Sequence, residues 1–224
     1  MKHTLFRNAN YVMGAFGFFL GLSMYIVHKI LQFGLVAITE EIIWICFTAI
    51  LVFLGLVNGK MIRVLHHWAY CDFLTGVWNR KYFYYRLNKE LHDKRKKQQN
   101  LCIALIDVDN FKQVNDKYGH SAGDKVIKKI ANVLMQNVRS TDSVIRLGGD
   151  EFAIIFSGTE IKKAKMISER IRSNVDRQCE YVTVSVGVVE FKKNLKITEI
   201  IDFVDAVLYK AKLSKNAVIT MVAG

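Results

Sequence analysis

Two long apolar runs open the chain, and a mixed pattern follows them. Tyr11 to Ile30 reads YVMGAFGFFLGLSMYIVHKI, with ionisable groups only at its end, His28 and Lys29. Ile42 to Val57 reads IIWICFTAILVFLGLV, after Glu40 and Glu41. Neither run has a polar face to turn towards water. A helix needs about 20 apolar residues to cross a hydrocarbon core of about 30 Å. The first run meets that length; Asn58, Gly59 and a snorkelling Lys60 complete the second. A cleaved signal peptide and a buried soluble hairpin are the competing readings. The first run is longer than a signal-peptide core of roughly 7–15 residues, and no small-x-small cleavage site follows it. The pattern therefore predicts two transmembrane helices, at about 11–30 and 42–58.

After Lys60 the periodicity changes. Met61, Val64, Leu65 and Trp68 recur at helical spacing, so residues 60–71 read as a helical linker, a plain juxtamembrane helix or a stalk that pairs with its copy. Phe83, Leu87 and Leu91 mark one helix. Val126, Ile130, Val133 and Leu134 mark another, as do Ile161, Ala164, Ile171 and Val175, and finally Ile200, Ile201, Val204 and Leu208. Between them lie short apolar runs of strand length: Leu101–Ile106, Glu151–Phe156 and Ala217–Val222. Val182, Val184, Val186 and Val188 alternate strictly, which predicts a half-buried strand. Strands alternating with helices predict one sheet covered by helices, occupying residues 72–224.

Composition refines this division. The net charge of +12 invites a nucleic-acid reading. A solvated basic face plus the positive flanks of membrane helices explains it as well, and no nucleic-acid partner is expected. The densest run, Lys94 to Lys97, closes a helical pattern, where cations meet the negative end of the helix dipole. Lys2 and Arg7 precede the first apolar run, Lys60 and Arg63 follow the second, and the loop from Gln32 to Glu41 has neither Lys nor Arg. The positive-inside rule then puts both chain ends in the cytoplasm and the module at an inner (cell) membrane. Cys46, Cys71, Cys102 and Cys179 form no C-x-x-C pair and meet no histidine at zinc spacing. Cys46 and Cys102, inside apolar runs, read as buried small hydrophobes. His66 and His67 are adjacent on a helical pattern and make a poor metal pair.

Two acidic clusters carry candidate chemistry. In the first, the apolar strand runs into Asp107-Val108-Asp109; in the second, Gly148-Gly149 turns into Asp150-Glu151. Carboxylates at a strand end and at a hairpin tip can converge on one point. Hard oxygen ligands suit Mg²⁺, or Mn²⁺, which keeps phosphate oxygens in its shell. Paired glycines let a phosphate approach backbone without an intervening side chain. Between the clusters lie Phe111, Lys112, Asn115, Asp116, Gly119, His120, Gly123 and Asp124. Lys112 offers a point charge for phosphate. A carboxylate such as Asp124 can accept both donors of guanine's Watson–Crick edge, an arrangement that adenine lacks.

In order and spacing, these segments resemble the GGDEF family of diguanylate cyclases. Asp72-Phe-Leu-Thr-Gly76-Val-Trp-Asn79-Arg80 resembles the family's opening D-x-L-T-G-L-x-N-R. Asp107-Val-Asp109-Asn-Phe111-Lys112 resembles its D-x-D-x-F-K, and Arg146-Leu-Gly-Gly-Asp-Glu-Phe152 its namesake segment. Ser185-Val-Gly187 resembles its S-x-G strand, and Asp205 with Leu208-Tyr209-Lys210-Ala211-Lys212 its last helix. The likeness runs from Asp72 to about Asn216.

The resemblance implies an α/β fold of palm-like, nucleotide-cyclase type. It would have a central, mostly antiparallel sheet with surrounding helices, here preceded by a two-helix transmembrane hairpin at residues 1–59. It implies condensation of two GTP into cyclic di-GMP by a homodimer. Asp107, the Val108 carbonyl and Asp150 would hold the metal, with Glu151 and Asp150 catalytic. Asn115 and Asp124 would read guanine, with Phe111, Lys112, His120, Gly148, Gly149 and Lys212 also contacting GTP. Arg139-Ser-Thr-Asp142 resembles the family's R-x-x-D product site, which implies feedback inhibition by cyclic di-GMP; a helix-end arginine beside a turn aspartate is the simpler reading. Val77 replaces a usual leucine. The closing Ala211-Lys212-Leu-Ser-Lys215-Asn216 is one residue shorter than the family's A-K-x-x-G-R-N and lacks its glycine, so Lys215 stands where the second phosphate cation is expected. A non-catalytic membrane module that binds GTP or cyclic di-GMP is the alternative. A cyclase making a mixed guanine–adenine product is a further one, against which Asp124 argues.

Overall fold

The computed structural model describes residues 9–31, 38–97, 100–191 and 195–223. Lys2, Arg7 and most of the connecting loop, on which the predicted orientation rests, lie outside the described residues. So do the side chains of His66, His67 and the Lys94–Lys97 run. The chain divides into two compact units, Met1–Ala69 and Tyr70–Gly224.

In the first unit, α1 (Ala9–Leu31) and α2 (Ile38–Tyr70) are both long and apolar enough to cross a membrane. Their surfaces expose large apolar side chains such as Phe16, Phe19, Ile43, Ile45 and Phe53. A soluble core helix would bury them. Cys46, expected to be buried, is exposed on this outward face; an apolar neighbourhood in sequence did not mean a protein interior. The two helices meet through small residues. A Cβ on Gly17 would lie 2.5 Å from the Leu51 carbonyl oxygen, and one on Gly55 would lie 2.3 Å from that of Met13. Such close backbone approach is how helices associate where no hydrophobic effect drives them together. Near the far end, Tyr25 donates a hydrogen bond of 2.8 Å to Glu41, which also pairs with Lys29.

The second unit is a six-stranded mixed sheet. Its elements are β1 (Trp78–Asn79), α3 (Arg80–Lys97), β2 (Leu101–Asp109), α4 (Phe111–Tyr118), α5 (His120–Asn137), β3 (Ser143–Gly148), β4 (Glu151–Ser157), α6 (Ile161–Gln178), β5 (Thr183–Phe191), α7 (Ile197–Ser214) and β6 (Val218–Ala223). The strand order is β1-β3-β4-β2-β5-β6. The three inner pairings are antiparallel and the two outer ones parallel. One face packs against α5 and α6 through Ile127, Ile130, Leu134, Ile167 and Ile171. The other packs against α3 and α7 through Phe83, Leu87, Val204 and Val207.

Covering both faces explains the strand compositions. The central strand β2 is apolar without alternation up to its acids, because neither face meets water. The expectation of a half-buried β5 is corrected: eight of its nine residues, Val184 to Phe191, are buried. The even-numbered valines face the α5/α6 layer. The intervening Ser185, Gly187 and Val189 lie under α7 rather than in water. Gly187 is required there, since a Cβ would sit 2.4 Å from the backbone nitrogen of Leu208. The helix rests directly on the strand, and strict alternation recorded a change of residue size rather than of solvent.

Candidate active site

The inner strands deliver the two acidic clusters to one end of the sheet. Asp107 on β2 stands opposite Glu151 on β4 in register, and the Val108 N–H donates to the Asp150 carbonyl at 3.3 Å. The strands β3 and β4 join through Gly148 and Gly149, with a bulge between Arg146 and Gly148. Gly149 has φ +50, a conformation that suits glycine. A Cβ on either glycine would meet nothing within 4 Å, so the turn is open to an incoming group.

An arginine that the sequence reading left without a role fixes this turn. Arg146 donates from Nε and Nη2 to the Gly149 carbonyl at 3.0 and 2.7 Å, and from Nη1 to Asp72 Oδ1 at 3.1 Å. The same carboxylate oxygen accepts the Thr75 N–H and hydroxyl at 3.0 and 2.6 Å. Asp72 thus ties the first loop of the unit to the glycine turn, 74 residues away from Arg146.

Lys212, on the last turn of α7, reaches the acids from the helical layer. Its Nζ lies 2.6 Å from Asp107 Oδ2. Burial pushes the Asp107 carboxyl above the usual carboxylate range; Asp150 and Glu151 add to this, while Lys212 opposes it. Burial alone would lower Lys212, but Asp107, Glu151 and Asp150 outweigh it and hold its ammonium above the ordinary lysine value. The local field therefore favours a cation. Among the described residues, no three His, Cys, Asp or Glu side chains form a ready-made metal cage. Two carboxylates and one backbone carbonyl suit a divalent ion that completes its shell with substrate phosphate, so Asp107, Asp150 and Val108 fit Mg²⁺.

A second cradle lies on the α4–α5 hairpin. Asn115 Oδ1 is buried, with no hydrogen-bond partner among the described residues. Gly123 stands opposite: a Cβ there would lie 2.0 Å from Asn115 Oδ1 and 3.1 Å from the Phe111 ring. The missing Cβ lets the Asn115 amide pack directly against the helix, and an acceptor buried there without a donor is costly. Asp124, Lys112 and His120 are exposed. Lys215 does not reach the acids; its Nζ donates to Asn110 Oδ1 at 2.8 Å. Arg139 and Asp142 lie elsewhere, on the loop before β3. Asp142 Oδ2 accepts the Arg139 N–H at 3.1 Å, its other oxygen is buried without a hydrogen-bond partner among the described residues, and the Arg139 residue is exposed. A cavity of about 180 Å³ under Glu151 is lined by Arg80, Tyr84, Leu147 and Asp205, and does not include the Asn115 cradle.

This arrangement can be compared with known proteins. Residues 69–217 match the family described as diguanylate cyclase, GGDEF domain. The chain belongs to this GGDEF family. It is 37% identical over 161 residues to the probable diguanylate cyclase DgcT of Escherichia coli, covering 67% of this chain and 35% of that protein. It is 34% identical over 163 residues to the diguanylate cyclase DgcS of Shewanella oneidensis, covering 71% of this chain and 55% of that one. The chain thus spans only about a third to a half of the length of these curated relatives. Among solved structures, the coiled coil and GGDEF domain of DgcB from Caulobacter crescentus, in complex with c-di-GMP, matches with a TM-score of 0.69 and 28% identity. That match covers 72% of this chain and 91% of the other. The diguanylate cyclase SiaD of Pseudomonas aeruginosa, in complex with its activator SiaC, matches at 0.67 with 28% identity, over 91% of this chain and 76% of that one. The GGDEF fold is therefore established for the second unit.

Proposed function

We propose that this GGDEF protein is a membrane-anchored diguanylate cyclase that condenses two GTP into cyclic di-GMP and two pyrophosphates. The observation that carries the reading is the Lys212–Asp107 pair, 2.6 Å apart within a group of three carboxylates at an open glycine turn. Cation and anions side by side are what a metal-bridged triphosphate calls for.

Asn115 and Asp124 read guanine, the former through the acceptor it holds against Gly123. Phe111, His120 and the glycine turn border the nucleotide. Lys112 and Lys212 hold the β- and γ-phosphates, and Lys212 gives up Asp107 to do so. Asp107, Asp150 and the Val108 carbonyl hold Mg²⁺ or Mn²⁺. When bound, the ion neutralises phosphate charge and lowers the pKa of the attacking hydroxyl. Glu151, across from Asp107, would lie near the reacting 3′-hydroxyl or the metal. Two domains meet face to face, and each 3′-hydroxyl loses its proton to solvent as its oxygen forms a bond to the partner's α-phosphorus. The α–β phosphoanhydride bond breaks, and pyrophosphate leaves with that electron pair. One chain supplies half a site, so the active species is a homodimer. Arg139 and Asp142 bind cyclic di-GMP as a feedback inhibitor. Helices α1 and α2 anchor the protein in the inner membrane, with the catalytic domain on the cytoplasmic side.

Purified full-length protein in detergent, incubated with Mg²⁺ and labelled GTP, should yield cyclic di-GMP and pyrophosphate in a ratio of one to two. Tight GTP or cyclic di-GMP binding without turnover would instead support a non-catalytic signalling module.

A further inference from the structure

Asp109 ends the central strand two residues beyond Asp107, but it does not face the open turn. It is 5% exposed. Its Oδ2 accepts the Thr183 hydroxyl at 2.6 Å and the Asn216 backbone N–H at 2.9 Å; its Oδ1 accepts the Ser185 hydroxyl at 2.7 Å. A buried carboxylate held by three neutral donors is expensive to keep unless those bonds do something that an apolar residue could not.

What they do is visible at Asn216. It lies just beyond α7, the helix that carries Lys212. Lys215 and Asn216 adopt φ of +51 and +43, and Asn110 across the gap has φ +60. None of the three is glycine; asparagine tolerates positive φ, whereas Lys215, at φ +51 and ψ +162, is strained. Surrounding bonds hold the strained turn. Asp109 takes the Asn216 N–H, Arg172 Nη1 donates to Asn216 Oδ1 at 2.9 Å, and Lys215 Nζ donates to Asn110 Oδ1 at 2.8 Å. The Lys215 N–H closes back on the Ala211 carbonyl at 3.0 Å, one turn from the helix end. The carboxylate that ends β2 therefore fixes the last turn of α7. The strand bearing Asp107 and the helix bearing Lys212 are locked in register through it.

We propose that Asp109 is a positioning residue for triphosphate recognition, holding Lys212 at the height of Asp107 through the strained Lys215–Asn216 turn. The inference rests on the reading of Lys212 as a triphosphate cation. Asp109 touches no substrate. Its effect is specific to the β- and γ-phosphates, because the Asn115 cradle lies on the other helical layer.

Binding separates this role from a general structural one. Full-length protein in detergent with Mg²⁺ is titrated with 3′-deoxy-GTP, which lacks the attacking hydroxyl, and with GMP, which lacks the β- and γ-phosphates. Asp109→Asn keeps the shape of the side chain but removes the charge and one acceptor. It should weaken 3′-deoxy-GTP about tenfold and leave GMP within about twofold. Lys212→Ala should give the same split. If Lys212→Ala shows the split and Asp109→Asn does not, or weakens both ligands equally, the positioning role is wrong while the reading of Lys212 stands. If Lys212→Ala shows no split, that reading fails and takes the inference with it. Should Asp109→Asn not fold, Thr183→Val and Ser185→Ala, which each remove one donor, carry the same test with the same outcomes.

Discussion

Lys212 Nζ and Asp107 Oδ2 are 2.6 Å apart, so the cation proposed for phosphate and the anion proposed for metal pair with each other. Asp107 must be ionised to hold a divalent ion. Its carboxyl is pushed upward by burial, then by Asp150 and Glu151, with Lys212 opposing. A raised pKa means that the proton returns at a higher pH as acid is added. The acid limb of the pH–rate profile at limiting Mg²⁺ should therefore lie above the ordinary aspartate value of about 3.9. Lys212→Met removes the one opposing influence and should move that limb to still higher pH. An unmoved limb in the variant would mean that another group sets it.

Glu151→Gln tests the chemistry. Glu151 is exposed at the start of β4, and its partner across the ladder is Asp107. Nothing in the core depends on its charge. The variant should lose at least about a hundredfold in cyclic di-GMP synthesis, the scale of deleting one transition-state group. Its melting temperature should stay within a few degrees. Near-normal product formation would remove Glu151 from the mechanism.

Much of this site was legible in sequence, and what escaped had a physical reason. Apolar runs of strand length located β2 and β4, and the acids at their ends converge because the strands are neighbours. The strand β1 is two residues long, too short for any periodicity, and exists only because β3 pairs with Trp78 and Asn79. The strand β3 is interrupted by Arg146, whose polar head serves the glycine turn rather than the pattern. Helix α4 spans only Phe111–Tyr118 and buries Val114 alone, so no apolar stripe announces it. The Asp72–Arg146 bond joins residues 74 apart, and the Asp109–Asn216 bond residues 107 apart. Neither partner's type or local spacing encodes the other.

Gly123→Ala addresses guanine recognition. Gly123 lies within α5, where alanine is the better helix former by about 1 kcal/mol. The new Cβ, however, would fall 2.0 Å from Asn115 Oδ1 and must displace that side chain. Stability should hold or rise slightly while the KM for GTP increases roughly tenfold, the loss of about one good hydrogen bond to the base. Thermal melts beside initial-rate kinetics would show it. A parallel fall in stability and affinity would point to damage to the helix instead.

Arg139→Ala addresses regulation. The Arg139 side chain is not needed for the local turn, because Asp142 bonds its backbone N–H. Asp142 is pushed above the usual carboxylate range by burial, against the pull of the Arg139 backbone and charge. A free, exposed guanidinium next to a poorly satisfied carboxylate is suited to a bidentate anionic ligand. The variant should keep its initial rate and resist added cyclic di-GMP at least about tenfold better. Equal inhibition in progress curves of both proteins would leave the pair with a structural role only.

The fragment 61–224 tests the contribution of the proposed membrane anchor. The unit from Tyr70 onward has its own core on both faces of the sheet, so the fragment should be soluble and folded. It should bind GTP like the full chain, since every residue assigned to the nucleotide lies within it. Synthesis is different, because in the proposed mechanism two half-sites must meet. With the proposed anchor, confinement to a bilayer and pairing of the apolar helices would raise the effective concentration of one domain near another. In dilute solution that advantage disappears, and the concentration of dimer grows with the square of the monomer concentration. The rate should therefore climb more steeply than linearly as fragment is added, and approach linearity only when most of the protein is dimeric. A dimerising coiled coil fused ahead of Met61 should restore high activity at low concentration, provided that its register lets the two glycine turns face each other. A bare fragment fully active at nanomolar concentration, with a rate strictly proportional to enzyme, would show that the membrane helices contribute nothing to assembly of the site.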